Sequence, residues 1–297
     1  MLGLKTGHGE FNVPSITLER LLKIDYDYVV RRITDFIRTY VKDGGAKGAV
    51  VGLSGGVDSS VTAALLVKAL GSSNVVGLIM PYKTTPPEDV ADAWSLARML
   101  GIRAIQVDIS ALRDAFSKAI PFFDEGARVA NGNVLARLRM IILYYFANLN
   151  NYMVAGTGDK SEILIGYFTK YGDGGVDFLP IGDLYKTQVR ALAKYLGLPD
   201  NIAYKPSSPR LWEGQTAEGE LGLRYEDIDV ILHALVDLRM NVDEAAEATG
   251  KPIEVVKLVW DRVRSSEHKR KAPPIPRMSL RTVGLDWRMP LNYGGVL

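Results

Sequence analysis

The chain has 297 residues, of which 47% are hydrophobic, and its 36 basic and 34 acidic side chains leave a formal net charge of +2. This size suits one large α/β domain or two small ones, and the near-neutral charge does not favour nucleic acid as a partner. Cysteine is absent, which excludes disulfides, thiolate metal sites and cysteine nucleophiles from this sequence.

The N-terminal segment does not look like a targeting signal. Residues 1–8 lack an apolar stretch, and no apolar run approaches the ~20 residues of a membrane span. We therefore expect a soluble, cytoplasmic protein with no membrane partner. The first predicted element is a long helix from about Leu21 to Val41, ended by Gly44 and Gly45.

Strands and helices alternate through the next part of the chain. The predicted strands are residues 48–53, 74–80, 103–107 and 152–156, and the predicted helices between them are 57–70, 87–100 and about 133–149. This alternation indicates βαβ units and therefore an α/β fold with a doubly wound parallel sheet. Such a sheet binds its ligand at the carboxyl ends of its strands.

The last third of the chain is predominantly helical by pattern. The predicted helices are residues 225–239, 242–248 and 252–266. We find no internal repeat and no low-complexity linker. We predict a single domain over 1–297, with an N-terminal extension (1–19), a helical C-terminal layer and a C-terminal tail (272–297).

A glycine-rich loop, Ser54-Gly55-Gly56-Val57-Asp58-Ser59-Ser60, connects a predicted strand to a predicted helix. Its two glycines allow a tight turn and a close approach to a ligand. The N–H groups at the start of the helix form a cradle for phosphate, and the serine hydroxyls add further donors. No Gly-Lys-Ser/Thr follows, so the loop is not of the Walker A type.

Asp58 lies in the first turn of that helix, where it would repel a phosphate unless a divalent cation lay between them. The loop therefore predicts Mg²⁺ as a cofactor and ATP as a co-substrate. An ordinary strand–helix turn, with Asp58 complementing the helix dipole, is the alternative interpretation. The whole segment in its strand–turn–helix context favours nucleotide binding.

A second informative stretch begins where the predicted strand 152–156 ends. Thr157 and Glu162 follow that strand, and Glu162 is a candidate to share Mg²⁺ with Asp58. The loop from Gly166 to Asp177 contains two carboxylates, one lysine and several glycines. This composition is typical of a mobile cover that shields a reactive intermediate from water; an exposed turn with solvated charges is the alternative.

The glycine-rich loop resembles the pyrophosphate loop of the N-type ATP pyrophosphatases, which adenylate an acid or a carbonyl and release pyrophosphate. Within that superfamily the chain is similar to the ammonia-dependent NAD synthetases, from about residue 20 to about 275. The segments that carry this resemblance are 54–60, 156–162, 166–177, Asn133 to Met140, Lys186 to Arg190, Lys205 to Ser208, Glu218 to Tyr225, and His268-Lys269-Arg270.

The resemblance implies the adenine nucleotide alpha hydrolase-like fold and a role for each matching residue. It implies ATP contacts for Ser54, Gly55, Gly56, Val57, Asp58, Ser59, Ser60, Thr157, Lys186 and Ser208, and Mg²⁺ ligands at Asp58 and Glu162. It implies contacts to the deamido-NAD substrate for Arg137, Lys170, Asp177, His268 and Lys269. Asp173 and Lys186 are the expected catalytic residues, Asp173 acting near the incoming ammonia.

The resemblance further implies amidation of deamido-NAD to NAD through an acyl-adenylate, with release of AMP and pyrophosphate, as the final step of NAD biosynthesis. It implies a homodimer, with helices around 20–40 and 133–149 forming much of the interface. Because glutamine-dependent versions use a cysteine nucleophile, the absence of cysteine makes ammonia the expected nitrogen source.

The chain departs from the family pattern in two places, and the roles of the residues there stay open. Ala217-Glu218 stands where the family commonly has an Asp-Glu pair, so position 217 carries no catalytic weight and the role of Glu218 is open. The contacts of residues 158–160 are also open. Taken singly, Arg137, Lys186 and His268 could each be an ordinary helix or surface residue.

Two other classes of function share parts of this pattern. A tRNA-modifying pyrophosphatase would have the first loop, but thiolating members usually need cysteine. A non-catalytic nucleotide-binding module would retain the glycine-rich loop, yet it would have little need for Glu162, Lys186 and the 166–177 loop together.

Overall fold

The structure is a computed structural model that describes residues 15–212, 214–283 and 286. The predicted N-terminal extension (1–19) and C-terminal tail (272–297) lie partly outside these residues, and the single domain stays a prediction. Among the described residues, no helix is both long enough and apolar enough to cross a membrane.

A four-stranded parallel sheet lies at the centre of the fold, in the order β3-β2-β1-β4. Its strands are β1 Gly48–Gly52, β2 Val75–Ile79, β3 Arg103–Gln106 and β4 Tyr152–Ala155. The chain runs outward from β1 to β3 and then returns to the other side of β1. The strand order therefore reverses between β1 and β4, which is where a doubly wound sheet binds its ligand.

Helices cover both faces of the sheet, which confirms the predicted α/β class. The helices of the described residues are α1 Leu18–Leu22, α2 Tyr26–Asp43, α3 Val57–Leu70, α4 Pro87–Leu100, α5 Ser110–Ala119, α6 Arg128–Asn150, α7 Lys160–Ile165, α8 Lys186–Tyr195, α9 Asp200–Ala203, α10 Ala217–Leu221, α11 Tyr225–Leu232, α12 Val242–Thr249, α13 Ile253–Ser265 and α14 Glu267–Arg270.

Two predicted helices have different limits. The single helix predicted over Leu21 to Val41 is wrong, because the chain leaves α1 at Leu22 and begins α2 at Tyr26. Asp25 caps α2 by accepting a hydrogen bond from the backbone N–H of Tyr28 at 3.0 Å, which separates the two helices. The predicted helix 225–239 is regular only to Leu232 and continues as a wider π-type turn.

The central strand contributes to two apolar clusters. Ala49 and Val51 pack with α2, α3 and α8 on one face of the sheet, whereas Val50 packs with α6 on the other. All three side chains are fully buried. Since burying one valine side chain contributes about 1.5–3 kcal/mol, this strand holds the adjoining residue 54–60 loop on a rigid base.

A third apolar cluster forms the C-terminal layer. It contains Leu221, Tyr225, Ile231 and Val259, from helices α10, α11 and α13. Helix α11 packs against both α7 and α8. The predicted helical layer is therefore confirmed, and it fixes the two short helices that follow β4.

Candidate active site

The residue 54–60 loop follows β1 and ends in α3. Gly55 has φ of +76°, and a Cβ atom there would lie 2.2 Å from the carbonyl oxygen of Asp89, so glycine is required at this position. Ser54 and Ser59 share a hydrogen bond of 3.1 Å between their hydroxyls. The Ser60 hydroxyl donates to the Gly56 carbonyl at 2.8 Å, so it supports the loop from beneath.

A cavity of about 440 Å³ opens at the carboxyl ends of β1, β2 and β4. Ten of the predicted site residues line it: Ser54, Gly56, Val57, Asp58, Ser59, Thr157, Glu162, Asp173, Ser208 and Lys269. Seven others do not line it: Gly55, Ser60, Arg137, Lys170, Asp177, Lys186 and His268. The tertiary structure thus brings together at this cavity most of the residues predicted to bind ATP and Mg²⁺. It leaves outside the cavity most of the residues predicted to bind deamido-NAD.

Lys186 is fully buried behind the cavity wall, where its ammonium group meets three carboxylates. Its Nζ lies 2.6 Å from Asp58 Oδ2, 2.8 Å from Asp159 Oδ2 and 2.8 Å from Glu162 Oε1. Asp159 is also fully buried, whereas Asp58 and Glu162 remain partly accessible from the cavity. We call Asp58, Asp159 and Glu162 the carboxylate trio.

Burial shifts the protonation of this group strongly. Desolvation raises the pKa of Asp159, and it raises the pKa of Glu162 well above the ordinary value for a glutamate. Burial alone would lower the pKa of Lys186, but the three carboxylates together hold it well above its ordinary value. Lys186 is therefore held in its charged form by the trio.

The carboxylate trio also fits a divalent cation. One oxygen from each residue lies within 4.8 Å of the others, and Asp58 Oδ1 is buried without a hydrogen-bond partner. Three carboxylates against one ammonium leave an excess of two negative charges when all are ionised. Hard oxygen ligands of this kind suit Mg²⁺.

A buried hydrogen-bond chain positions the backbone around Lys186. Ser161 Oγ accepts from the Lys186 N–H at 2.9 Å and donates to Asp229 Oδ1 at 2.5 Å, and Asp229 Oδ2 accepts from the Thr187 N–H at 2.9 Å. Desolvation raises the pKa of Asp229 to about 7. Asp229 thereby joins the start of α8 to α7.

The cover loop, residues 166–177, is tied to the rest of the site by polar contacts. Lys269 Nζ donates to the carbonyls of Gly166 and Phe168, at 2.7 Å each. The Thr169 N–H donates to Asp173 Oδ1 at 2.8 Å. Asp173 lines the cavity, and desolvation by the surrounding atoms raises the pKa of its carboxyl.

The remaining predicted substrate residues contact one another outside the cavity. Arg137 donates to the Lys170 carbonyl at 3.2 Å, and Lys170 Nζ donates to the His268 carbonyl at 2.8 Å. The Asp177 carboxylate accepts from the Val154 N–H at 2.7 Å and from the Tyr144 hydroxyl at 3.0 Å. Asp177 therefore ties the end of the cover loop to β4 and α6.

A segment after α9, residues 205–212, spans the cavity and is named the roof segment. At one end Lys205 Nζ lies 2.7 Å from Asp89 and 2.6 Å from Asp92, and it also donates to the Gly55 carbonyl at 3.3 Å. At the other end Trp212 stacks under the Arg128 guanidinium at 4.8 Å.

Several charged positions at or behind the cavity wall were missed from the sequence. Asp159 has a recognisable signal, because it lies three residues before Glu162 and caps α7 through the Glu162 N–H at 2.8 Å. Lys205 and Arg139 carry no local signal that separates them from surface cations. Glu218, left open from the sequence, contacts Arg190 and the Tyr225 N–H and does not line the cavity.

Fold and site together define a class of protein. A glycine loop at the start of α3 and an acidic trio at the strand-order reversal are typical of an α/β protein that binds nucleotide with a divalent cation. Residues 29–273 match the family model described as NAD synthase. The chain belongs to the NAD synthase family and has the adenine nucleotide alpha hydrolase-like fold that the sequence resemblance implied.

Curated relatives agree with this assignment. The NH(3)-dependent NAD(+) synthetase of Hyperthermus butylicus is 56% identical over 262 residues, which cover 88% of this chain and 94% of that protein. The protein of the same name from Pyrobaculum aerophilum is 54% identical over 253 residues, covering 85% of this chain and 93% of that protein.

Solved structures are similar in the same way. NMN synthetase from Francisella tularensis has a TM-score of 0.75 and 36% identity, covering 86% of this chain and all of that one. The NH3-dependent NAD synthetase from Campylobacter jejuni, solved with the nitrate ion, has a TM-score of 0.72 and 33% identity with the same coverage of both chains.

Proposed function

We propose that this protein is an ammonia-dependent NAD synthetase, which adenylates deamido-NAD with ATP and then amidates the acyl-adenylate to NAD. The names of its relatives support this function. The observation that carries the proposal is one cavity lined by the residue 54–60 loop, the accessible members of the carboxylate trio and Asp173. A cytoplasmic location stays a prediction.

The first half-reaction uses the nucleotide side of the cavity. The backbone N–H groups at the start of α3 bind the phosphates of ATP, with Thr157 and Ser208 lining the same space. Mg²⁺ held by Asp58 and Glu162, with Asp159 beside them, would neutralise charge on the triphosphate and on the pyrophosphate that leaves. Lys186 keeps the trio together from behind the cavity wall.

The second half-reaction uses Asp173. Desolvation raises the pKa of this carboxyl, which makes it a better proton acceptor than an ordinary aspartate. It takes a proton from ammonium, and the ammonia so formed attacks the acyl carbon. The C–N bond forms, the attacking nitrogen releases a further proton to solvent, and the bond to AMP breaks with its electrons going to AMP. The cover loop excludes water that would hydrolyse the adenylate.

The direct test is an assay of the purified protein with deamido-NAD, ATP, Mg²⁺ and ammonium. We expect NAD and AMP to form in equal amounts, and neither product to form when ATP is omitted. A protein that binds ATP but releases no AMP with any of these components would be a nucleotide-binding module, and the proposal would be wrong.

A second candidate substrate follows from the similarity to NMN synthetase. The same assay with the mononucleotide acid in place of deamido-NAD tests it. We expect kcat/KM to be higher for the dinucleotide, because the relatives above 50% identity are named for NAD. The reverse preference would reassign the substrate while leaving the adenylation chemistry in place.

We also propose a homodimer. Ile141, Tyr145 and Leu149 lie four residues apart along α6 and expose 56%, 71% and 71% of their surfaces. Nearby, Tyr40 on α2 donates to the Asp177 carbonyl at 3.1 Å and Tyr144 on α6 donates to its carboxylate, so both helices contact Asp177. An apolar stripe of this kind supports an interface.

A dimer formed on this stripe would bring a second chain close to Arg137, Lys170 and Asp177, which lie outside the cavity. Light scattering should give the mass of two chains. The double change Tyr145→Glu and Leu149→Glu should give one chain, while Leu258→Glu on the exposed face of α13 should leave the dimer intact. A wild-type monomer at assay concentrations would contradict this proposal.

A further inference from the structure

Arg139 is a cation at the cavity wall that the function proposed above does not use. It lies on α6, lines the cavity and donates its Nε–H to the Met80 carbonyl at 3.1 Å, just past the end of β2. Among the residues that the structure describes, it has no ion pair, and its two η nitrogens have no hydrogen-bond partner. A guanidinium in this setting has four N–H donors left for a ligand.

The other cations of the site are engaged with protein groups. Lys205 and Arg210 form ion pairs with Asp89. Lys269 donates to two backbone carbonyls, and Lys186 is enclosed by the carboxylate trio. Arg139 therefore has the largest unused capacity to bind an anion in this cavity.

The packing of the cover loop places Arg139 on the same side of the cavity as Asp173. A Cβ atom on Gly172 would lie 3.0 Å from Ala136, and one on Gly175 would lie 3.3 Å from Met140, so the loop rests directly on α6. Arg139 is on this face of the helix, three residues after Ala136. Arg137 points elsewhere and contacts the Lys170 carbonyl at the surface.

The electrostatic surroundings agree with this placement. Burial lowers the pKa of Arg139 to about 10, and Asp173 is the charge that acts in the opposite direction. The guanidinium is still charged at neutral pH. Arg139 is partly buried, and a partly desolvated positive charge without a salt bridge is stabilised when an anion binds beside it.

We propose that Arg139 binds the carboxylate of the acid substrate and so distinguishes the acid from its amide product. This inference rests on the proposed function. Two N–H groups along one edge of a guanidinium match the two oxygens of a carboxylate. The phosphates have their donors at the residue 54–60 loop, whereas Arg139 lies beside Asp173, where the acyl carbon must be when ammonia attacks.

Deamido-NAD and NAD provide a matched pair of probes, because they differ only in carrying a carboxylate or a carboxamide. The experiment measures the binding of each by calorimetry to the wild type, Arg139→Gln and Arg139→Lys. Gln retains a donor for the Met80 carbonyl but has no charge. Arg98→Gln, at an exposed arginine of α4, is the control.

We expect Arg139→Gln to weaken deamido-NAD binding about tenfold or more, as loss of a charged hydrogen bond does, with NAD binding changed less than about twofold. Arg139→Lys keeps the charge but cannot form the bidentate contact, so it should lose much of the preference for the acid while NAD binding stays unchanged. Equal losses for the two probes would overturn the proposal and indicate a phosphate contact or a structural role. Unchanged binding of both probes would overturn it as well.

The outcome is separable from that for the proposed function. Wild-type protein that forms no NAD contradicts the function itself, whatever Arg139 does. Wild-type protein that forms NAD, together with an unchanged Arg139→Gln variant, contradicts only the assignment of Arg139. If Arg139→Gln fails to fold, Arg139→Lys decides: loss of its preference for the acid with NAD binding intact supports a bidentate contact, and parallel losses overturn it.

Discussion

The nucleotide side and the acid side of the cavity are built in different ways. On the nucleotide side, α3 is buried along most of its length, and Asp159 and Lys186 are fully buried. On the acid side, the cover loop and the roof segment have little regular structure and are held by polar contacts such as Lys205 with Asp89 and Lys269 with two carbonyls.

This difference indicates a division of tasks. Phosphate groups are common to all ATP-dependent enzymes, and a rigid cradle backed by an apolar core binds them with no rearrangement. The acid substrate must enter, be shielded as an adenylate and leave as an amide. Segments held by a few ion pairs and hydrogen bonds can open at a small cost in free energy.

Lys186→Met should have the largest effect on stability, because it leaves three carboxylates without their buried cation. We expect a loss of about 5 kcal/mol at neutral pH, the upper end of the range for a broken buried ion pair. Mg²⁺ should recover more stability in the variant than in the wild type. Urea unfolding with and without Mg²⁺ measures both effects.

The control for that variant is Lys194→Met on the same helix, where the ammonium lies at the surface over the Tyr204 ring at 5.2 Å. It should change the stability by less than about 0.5 kcal/mol. If the two variants were equally stable, the buried cation would not be what holds the nucleotide side together.

Asp229→Asn tests how the stability of the nucleotide side depends on pH. Since the folded pKa is raised from 3.8 to about 7, the folded state keeps a proton that the unfolded chain releases, and stability falls as the pH rises from about 4 to about 7. The full span corresponds to about 4 kcal/mol. Melting curves across this range should show a smaller decline for the variant.

Asp237→Asn is the matched control for this measurement. Bonds from Lys160, His233 and Tyr185 lower the pKa of Asp237 against the effect of its partial burial, so its contribution to stability is lost as the pH falls. Since the folded pKa of Asp237 lies below 3.8, Asp237→Asn should leave the decline between about pH 4 and 7 unchanged and alter the pH dependence only below about 4. A smaller decline between about pH 4 and 7 in Asp237→Asn as well would contradict the assignment of that decline to Asp229.

Asp58→Ala should lower kcat/KM by about 100-fold, since a charge-stabilising group next to the reacting phosphates is worth about 3 kcal/mol. Titration with Mn²⁺ in place of Mg²⁺, followed by its paramagnetic signal, should show weaker binding. Asp35→Ala, at an exposed ion pair of α2, should behave as the wild type. Retention of Mg²⁺-dependent turnover by Asp58→Ala would rule out its role as a ligand.

Lys205→Met should have the smallest effect on activity and stability, and it tests the acid side of the cavity. It releases the roof segment from Asp89 and Asp92 and from the Gly55 carbonyl. We expect the KM for deamido-NAD to rise about tenfold, with a loss of stability of about 1 kcal/mol. Lys83→Met, at an exposed ion pair with Asp114, is the control. Equal KM values for the two variants would contradict the role of Lys205 in holding the roof segment.

Much of the fold was predictable because it depends on patterns local to the chain. The alternation of apolar strands and helices predicts the parallel sheet, and the four predicted strands all form. The break between α1 and α2 was missed, because the apolar pattern continues through Lys23 while the cap at Asp25 acts through a single hydrogen bond. Helix periodicity is insensitive to such a break.

The candidate site was predictable in part. The residue 54–60 loop and Glu162 follow strand ends, so their convergence follows from a parallel sheet. Asp159 and Arg139 were missed, because an aspartate or an arginine near a motif is usually solvated. Their burial depends on how α6, α7 and α8 pack, which no local pattern reports.

The sequence by itself determined the α/β class, the glycine loop and the absence of cysteine chemistry, since each depends on residue type and short-range spacing. The tertiary structure decided that Lys186 meets Asp58 across 128 residues of chain. It also decided that Arg139 faces the cavity while Arg137 does not. Charges acquire altered pKa values and binding roles only when folding removes them from water, and that depends on the packing of distant segments.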